Sequence, residues 1–201
     1  MGANNFNEIK LLAEITEPNY GYITNFGKAH LEGFKSLEGV IKAKSELYEY
    51  LRNNQKSAFI NLDNKTQLKQ SKGINSITFS EKMKTDSNII YEKGNTYATV
   101  EYNTKQIKSN LIGNYNFTNI AAAICIGKHF KVSKNDIKNA IENYNPNNNR
   151  SQVISKNTNN IILDAYNANP TSMKAALESF DSIQNTKKTV FIGDMFELGE
   201  T

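Results

Sequence analysis

The chain has 201 residues, of which 38% are hydrophobic and 10% aromatic, so it can bury a core rather than stay disordered. Its 24 Lys and Arg exceed its 20 Asp and Glu by four charges that are scattered along the chain, which argues against a nucleic-acid partner. A single cysteine excludes an intramolecular disulfide, and no apolar run approaches the roughly 20 residues that span a bilayer, so we expect a cytoplasmic protein without membrane insertion.

The first third of the chain predicts helices that alternate with strands. Apolar spacing and β-prone runs locate the elements, and Ser36 is a suitable N-cap for the longest helix. In chain order they are a short helix before Pro18, a strand at 20–25, a helix from Ser36 to about Arg52 and a strand at 58–61.

The remainder predicts an insert and a second unit. Short β-prone runs with turn signals between residues 74 and 111 indicate an antiparallel meander beside a parallel sheet. The later elements are helices at 117–130 and 133–144, an Asn-rich connector at 143–149, a strand at 161–163, a helix opened by Asn169–Pro170 and a strand at 190–192.

This order of elements predicts an α/β fold. We expect a mostly parallel sheet flanked by helices, with a small antiparallel β insert. The first strand, helix, strand unit of a second, Rossmann-like domain should follow it. We place the domain boundary after residue 146, in the Asn-rich connector.

Lys44 lies in the middle of an apolar helical stripe formed by Leu37, Val40, Ile41, Leu47, Tyr48 and Leu51. A lysine there is costly unless its stem snorkels to water, its charge is paired or its amine is chemically changed, and the helix pattern alone favours snorkelling. The preceding loop carries His30 and Glu32 at the carboxyl end of a predicted strand, where α/β proteins usually bind ligands. A lysine that reacts with carbon dioxide becomes a carbamate, an oxygen ligand for magnesium, so His30 and Lys44 are a possible metal site.

Several separated stretches resemble the Mur ligase family. They are residues 24–48 (TNFGKAHLEGFKSLEGVIKAKSELY), 61–64 (NLDN), 113–119 (GNYNFTN) with the alanines at 121–123, 164–173 (DAYNANPTSM) and 193–199 (GDMFELG). The resemblance implies an amide-bond-forming ligase that uses ATP and Mg²⁺ and passes through an acyl phosphate. It implies UDP-muramoyl tripeptide and D-alanyl-D-alanine as small-molecule substrates, and we expect a monomer.

The resemblance also implies roles for individual residues. His30 and the carbamate of Lys44 would be catalytic and would bind the metal. Asn116 and Asn119 would hold the adenine, although they also suit an N-cap and a helix surface, and Tyr115 stands where related sequences often carry His. Arg150 and Asp164 would contact the phosphate and the ribose of the nucleotide. Tyr166, Asn167 and Asn169 would lie on a loop over the reacting groups. Asn169 also suits a helix cap before Pro170.

On this resemblance, residues 1–146 correspond to the central ATPase domain without its phosphate loop, and residues 147–201 to the start of a C-terminal domain. We therefore expect a truncated piece that is inactive alone. Two alternatives stay open. One is another ligase of the superfamily, of the folylpolyglutamate or diaminopimelate-adding type, and the other is a non-catalytic binding module on the same fold.

Overall fold

A parallel sheet flanked by helices forms the first part of the chain in the computed structural model, which describes residues 1–28, 31–184, 187–196 and 198. Its strands pair in the order β1 (Tyr20–Gly21), β2 (Ser57–Asn61), β3 (Asn75–Ser80) and β4 (Ser87–Asn88). The helices of this part are α1 (Glu8–Thr16), α2 (Leu31–Phe34), α3 (Leu37–Asn53) and α4 (Lys65–Gln70). The predicted α/β class is confirmed.

The longest predicted helix, α3, forms at the position that its N-cap and its apolar stripe predict. Ser36 accepts a hydrogen bond from the Gly39 N–H at 3.1 Å, and the buried side of the helix packs towards the sheet. On another side of α3, the buried carboxylate of Glu46 accepts hydrogen bonds from the N–H groups of Asn7 at 2.8 Å and Lys10 at 3.0 Å. A negative charge at the start of α1 stabilises that helix and fixes it to α3.

The antiparallel insert is smaller than predicted. It comprises β5 (Ile90–Glu92), β6 (Tyr97–Tyr102) and β7 (Lys105–Ile112), whereas β3 and β4 belong to the parallel sheet. For β3 the reason is α4, which crosses from β2 to β3, because a crossover connection produces a parallel pair and a hairpin an antiparallel one. The insert and sheet share one core, in which Phe79, Val100 and Ile124 are buried together.

The rest of the chain contains α5 (Phe117–His129), α6 (Lys134–Asn143), the antiparallel hairpin of β8 (Gln152–Lys156) and β9 (Asn159–Leu163), and α7 (Pro170–Ser182). The predicted strand at 161–163 lies in β9, and its partner β8 was not predicted because the turn between them lacks a glycine. The predicted strand at 190–192 is not formed: no described strand pairs with it, and Phe191 is 94% exposed. The boundary after residue 146 stays a prediction, and no helix in the described part is long and apolar enough to cross a membrane.

Gln67 holds the carboxyl ends of β1 and β2 together. Its side chain is 1% exposed. Its Nε2 donates to the Ile23 carbonyl at 2.8 Å, and its Oε1 accepts from the Asn61 N–H at 2.9 Å. Both backbone groups lie where the strands leave their ladder, so a side chain replaces the missing sheet hydrogen bonds.

Replacing Gln67 with alanine should lower the free energy of unfolding by about 2–4 kcal/mol, because two buried backbone groups lose their partners. Urea denaturation of the variant and of the unmodified chain measures the difference. Gln70→Ala, a half-buried position on the same helix, is the matched control and should change stability much less. Equal losses in the two variants would contradict this role of Gln67.

Candidate active site

The side chain of Lys44 extends towards the carboxyl end of the parallel sheet. It does not snorkel along the apolar stripe of α3 into solvent. Its Nζ donates to the Asn25 carbonyl at 2.8 Å and to Asn25 Oδ1 at 3.3 Å. The same Oδ1 accepts from the Gly27 N–H at 3.0 Å and so fixes the loop after β1. Burial lowers the pKa of the half-buried Lys44 amine, so more of it is neutral at a given pH than in an exposed lysine.

Lys44 and Asn25 would supply only part of the coordination sphere of a hard cation. A carbamate on Lys44 and the amide oxygen of Asn25 would be oxygen donors of the kind that Mg²⁺ prefers, but they are two of the six it takes. Within the described ranges no three His, Cys, Asp or Glu side chains lie together as a metal cluster. His30 lies outside the described residues, so its role as a metal ligand together with Lys44 stays a prediction.

Asn116 and Asn119 lie together at the start of α5, with different surroundings. Asn116 is 7% exposed, and its Nδ2 donates to the Ile112 carbonyl at 2.8 Å. It precedes α5 but makes no side-chain capping bond, so its amide is not used as a cap. Asn119 is exposed, and its Nδ2 donates to Asn116 Oδ1 at 3.3 Å.

A turn at residues 149–151 joins two more of the predicted nucleotide contacts. The Arg150 guanidinium stacks on the Tyr166 ring at 4.0 Å from its centroid, a cation–π contact. The Ser151 N–H donates to Asp164 Oδ1 at 3.2 Å, and the Asn149 carbonyl accepts from the N–H of Ala165 at 2.8 Å. Tyr166 therefore contacts Arg150 in this structure, and its place on a loop over the reacting groups stays a prediction.

Three of the asparagines in the predicted motifs have local structural roles. Asn169 Oδ1 accepts from the Ser172 N–H at 2.9 Å in a capping box, which confirms the cap before Pro170. Asn167 Oδ1 accepts from the adjacent Ala168 N–H at 2.8 Å. In the 61–64 stretch, Asn64 caps α4, so this motif shapes a turn.

Helix α7 brings the second half of the chain to both parts of the site. At its start, Thr171 Oγ1 accepts from the Lys28 N–H at 3.2 Å, next to the loop that binds Lys44. Towards its end, Ser179 lies so close to Gly113 that a Cβ at Gly113 would stand 2.6 Å from the Ser179 hydroxyl. The sequence analysis did not identify Thr171, Asn25 or Ser151 as residues of the site. Only Asn25 carried a signal, as a polar residue at a strand's carboxyl end.

The chain is an α/β protein in which polar groups gather where the parallel strands end, the edge at which such folds usually bind ligands, and α7 contacts the loop at the same edge. The family model described as the Mur ligase middle domain matches residues 1–127, and the one described as Mur ligase, glutamate ligase domain matches residues 149–201. Since the first match alone covers more than half of the chain, the chain belongs to the Mur ligase family. The resemblance in the sequence is confirmed.

Individual relatives match the chain from end to end. Two curated proteins named UDP-N-acetylmuramoyl-tripeptide–D-alanyl-D-alanine ligase, from Bacillus subtilis (strain 168) and Haemophilus influenzae, are 29% and 32% identical to it over 100% of its length. A crystal structure of MurF from Acinetobacter baumannii superposes on the whole chain with a TM-score of 0.86 and 30% identity. The chain spans 44% and 45% of the two curated relatives and 45% of the crystallised protein, so it corresponds to a little under half of each.

The amine of Lys44 should titrate below the ordinary lysine value of 10.5, because burial disfavours its charged form. The NMR shift of the Lys44 Cε, followed with pH and assigned by its loss in Lys44→Arg, measures this directly. The same chain in concentrated urea is the control and should titrate at the ordinary value. The folded chain binds this proton more weakly than the unfolded chain, so stability should rise as pH increases from the lowered pKa towards 10.5. A Lys44 that titrates alike in both states would contradict the effect of burial.

Proposed function

We propose that this chain is part of an ATP-dependent ligase that joins D-alanyl-D-alanine to a UDP-N-acetylmuramoyl-tripeptide in peptidoglycan precursor synthesis. The observation that carries the proposal is the end-to-end likeness to relatives of that name, at about 30% identity with a TM-score of 0.86 for a solved structure. The proposal includes a monomer that acts in the cytoplasm on small-molecule substrates. It also includes the division into a central domain at 1–146 and the start of a C-terminal domain at 147–201.

The proposed reaction has two steps. The terminal carboxylate of the tripeptide attacks the γ-phosphorus of ATP, which forms an acyl phosphate and releases ADP. The amine of D-alanyl-D-alanine then attacks the acyl carbon, the new C–N bond forms, inorganic phosphate leaves, and the amine gives up a proton. Positioning and charge neutralisation supply most of the catalysis, since negative charge spreads over the phosphoryl oxygens.

Lys44 contributes to this reaction through its amine. The lowered pKa supports attack of the neutral amine on carbon dioxide, in which an N–C bond forms and a proton leaves, and the product is a carbamate. The carbamate and His30 would hold Mg²⁺, which would neutralise charge on the transferring phosphoryl group. The Asn25 amide oxygen, 3.3 Å from Lys44 Nζ, is placed to orient that side chain.

The nucleotide would lie between the start of α5 and the turn at 149–151. The exposed amide of Asn119, supported by Asn116, suits the adenine because an amide both donates and accepts hydrogen bonds. Arg150 would bind phosphate and Asp164 the ribose. Tyr166 holds the Arg150 guanidinium by stacking, and Asn167 and Asn169 shape the segment that leads to α7.

A substrate panel on the complete protein tests this function. We expect ATP-dependent phosphate release only when the UDP-muramoyl tripeptide and D-alanyl-D-alanine are both present, with the amide product identified by mass spectrometry. Turnover with diaminopimelate or glutamate in place of the dipeptide would instead make the protein another ligase of the superfamily. Nucleotide binding without turnover on any substrate would favour a non-catalytic binding module.

Lys44→Ala in the complete protein should lower kcat by about 100-fold or more, roughly 2.7 kcal/mol, because the carbamate and its share of metal binding are lost. Isotope-labelled bicarbonate should give a carbamate carbon signal in the unmodified protein and none in Lys44→Arg, which keeps a positive charge but cannot form this group. Lys42→Ala, at an exposed position of the same helix, is the matched control and should retain activity. Full activity of Lys44→Ala would rule out the proposed role.

A further inference from the structure

Asn116 has no hydrogen-bond donor left for a ligand. Its amide carries two N–H groups. One donates to the Ile112 carbonyl at 2.8 Å and the other to Ser151 Oγ at 3.3 Å. Its Oδ1 accepts from Asn119, and the side chain is 7% exposed. Asn116 therefore acts through Asn119, which in the described part of the chain keeps an unbonded amide oxygen at the surface.

Ser151 connects the turn before α5 with the end of β9. Its side chain is 4% exposed, and its hydroxyl contacts the Tyr115 hydroxyl at 2.7 Å as well as the Asn116 amide. Its backbone N–H donates to Asp164 Oδ1 at 3.2 Å. One buried residue thus contacts the turn before α5 and the strand end that carries Asp164.

The Tyr115 phenol is suited to this contact. Burial is the main cause that raises its pKa, and the negative charge of Asp164 adds to the shift. The O–H therefore stays protonated at neutral pH and can be shared with the Ser151 hydroxyl. The result is a continuous chain of hydrogen bonds from Tyr115 through Ser151 and Asn116 to Asn119.

We propose that Ser151 is a positioning residue for the nucleotide. Its hydroxyl holds Asn116 and its N–H holds Asp164, so the adenine side and the ribose side of the site keep one geometry before ATP binds. This inference rests on the proposed function for the identity of the ligand. A site that is already ordered loses less conformational freedom on binding, so loss of the hydroxyl weakens ATP binding and leaves the chemical steps intact.

The backbone of Ser151 allows a clean test of the hydroxyl. Its φ is 49°, in the left-handed region that glycine adopts without strain. Ser151→Gly therefore removes the hydroxyl without steric strain at this φ, and Ser151→Ala removes it while keeping a Cβ. Tyr115→Phe removes only the partner hydroxyl, and Ser155→Ala removes an exposed hydroxyl from the same hairpin as a matched control.

In the complete ligase, Ser151→Gly and Tyr115→Phe should each raise the KM for ATP about fivefold, the effect of one hydrogen bond. The kcat at saturating ATP and the KM values of the other two substrates should stay unchanged, and the double variant should be no worse than either single one. Ser155→Ala should match the unmodified enzyme. An unchanged KM for ATP in Ser151→Gly, or additive effects in the double variant, would overturn the proposal.

A second measurement does not depend on activity. In the protein without nucleotide, one side-chain amide proton of Asn116 should exchange with solvent faster in Ser151→Gly, as measured by NMR with labelled asparagine. Unchanged exchange would refute the positioning role even in an active ligase. A lack of ligation by the unmodified protein would refute the proposed function instead, so the two failures are distinguishable.

Discussion

The geometry of the site depends on the buried amide of Gln67. Only Tyr20 and Gly21 of β1 are paired with β2, so the Ile23 carbonyl lies beyond the ladder and would be buried without a partner. Gln67 donates to this carbonyl and accepts from the Asn61 N–H, and so closes the gap between the two strand ends. The chain leaves the sheet after Gly21 and reaches Asn25, whose carbonyl accepts from Lys44 on α3.

Lys44 can lie on the apolar stripe of α3 because the loop after β1 supplies two hydrogen-bond acceptors. Val40 and Tyr48, one turn before and after Lys44 on α3, are fully buried, and a half-buried ammonium beside them would be costly if it had no partner. Asn25 offers its carbonyl and its amide oxygen, which offsets part of that cost but supplies no negative charge. The amine thus stays bonded while its pKa is lowered, a combination that suits a lysine whose neutral form reacts.

Local patterns predicted the elements, and long-range contacts decided what the patterns left open. The Ser36 cap and the apolar stripe of α3 are encoded within a few residues, so the helix and the position of Lys44 on it followed from the sequence. The parallel pairing of β3 with β2 depends on a crossover helix of only six residues, too short for its period to stand out. The contacts of Ser151 with Tyr115 and of Thr171 with Lys28 join positions 36 and 143 residues apart, which no local pattern can indicate.

The asparagines of this chain show why composition alone carried no function. Asn7, Asn103, Asn149 and Asn157 have positive φ values, a conformation that asparagine tolerates better than most residues with a side chain. Asn64 and Asn169 cap helices, where a short amide accepts from the backbone. These asparagines of an Asn-rich chain thus occupy turns and helix caps. Asn116 differs from these because one of its donors bonds Ser151, 35 residues further along the chain, and that long-range contact separates the asparagine of a site from the asparagine of a turn.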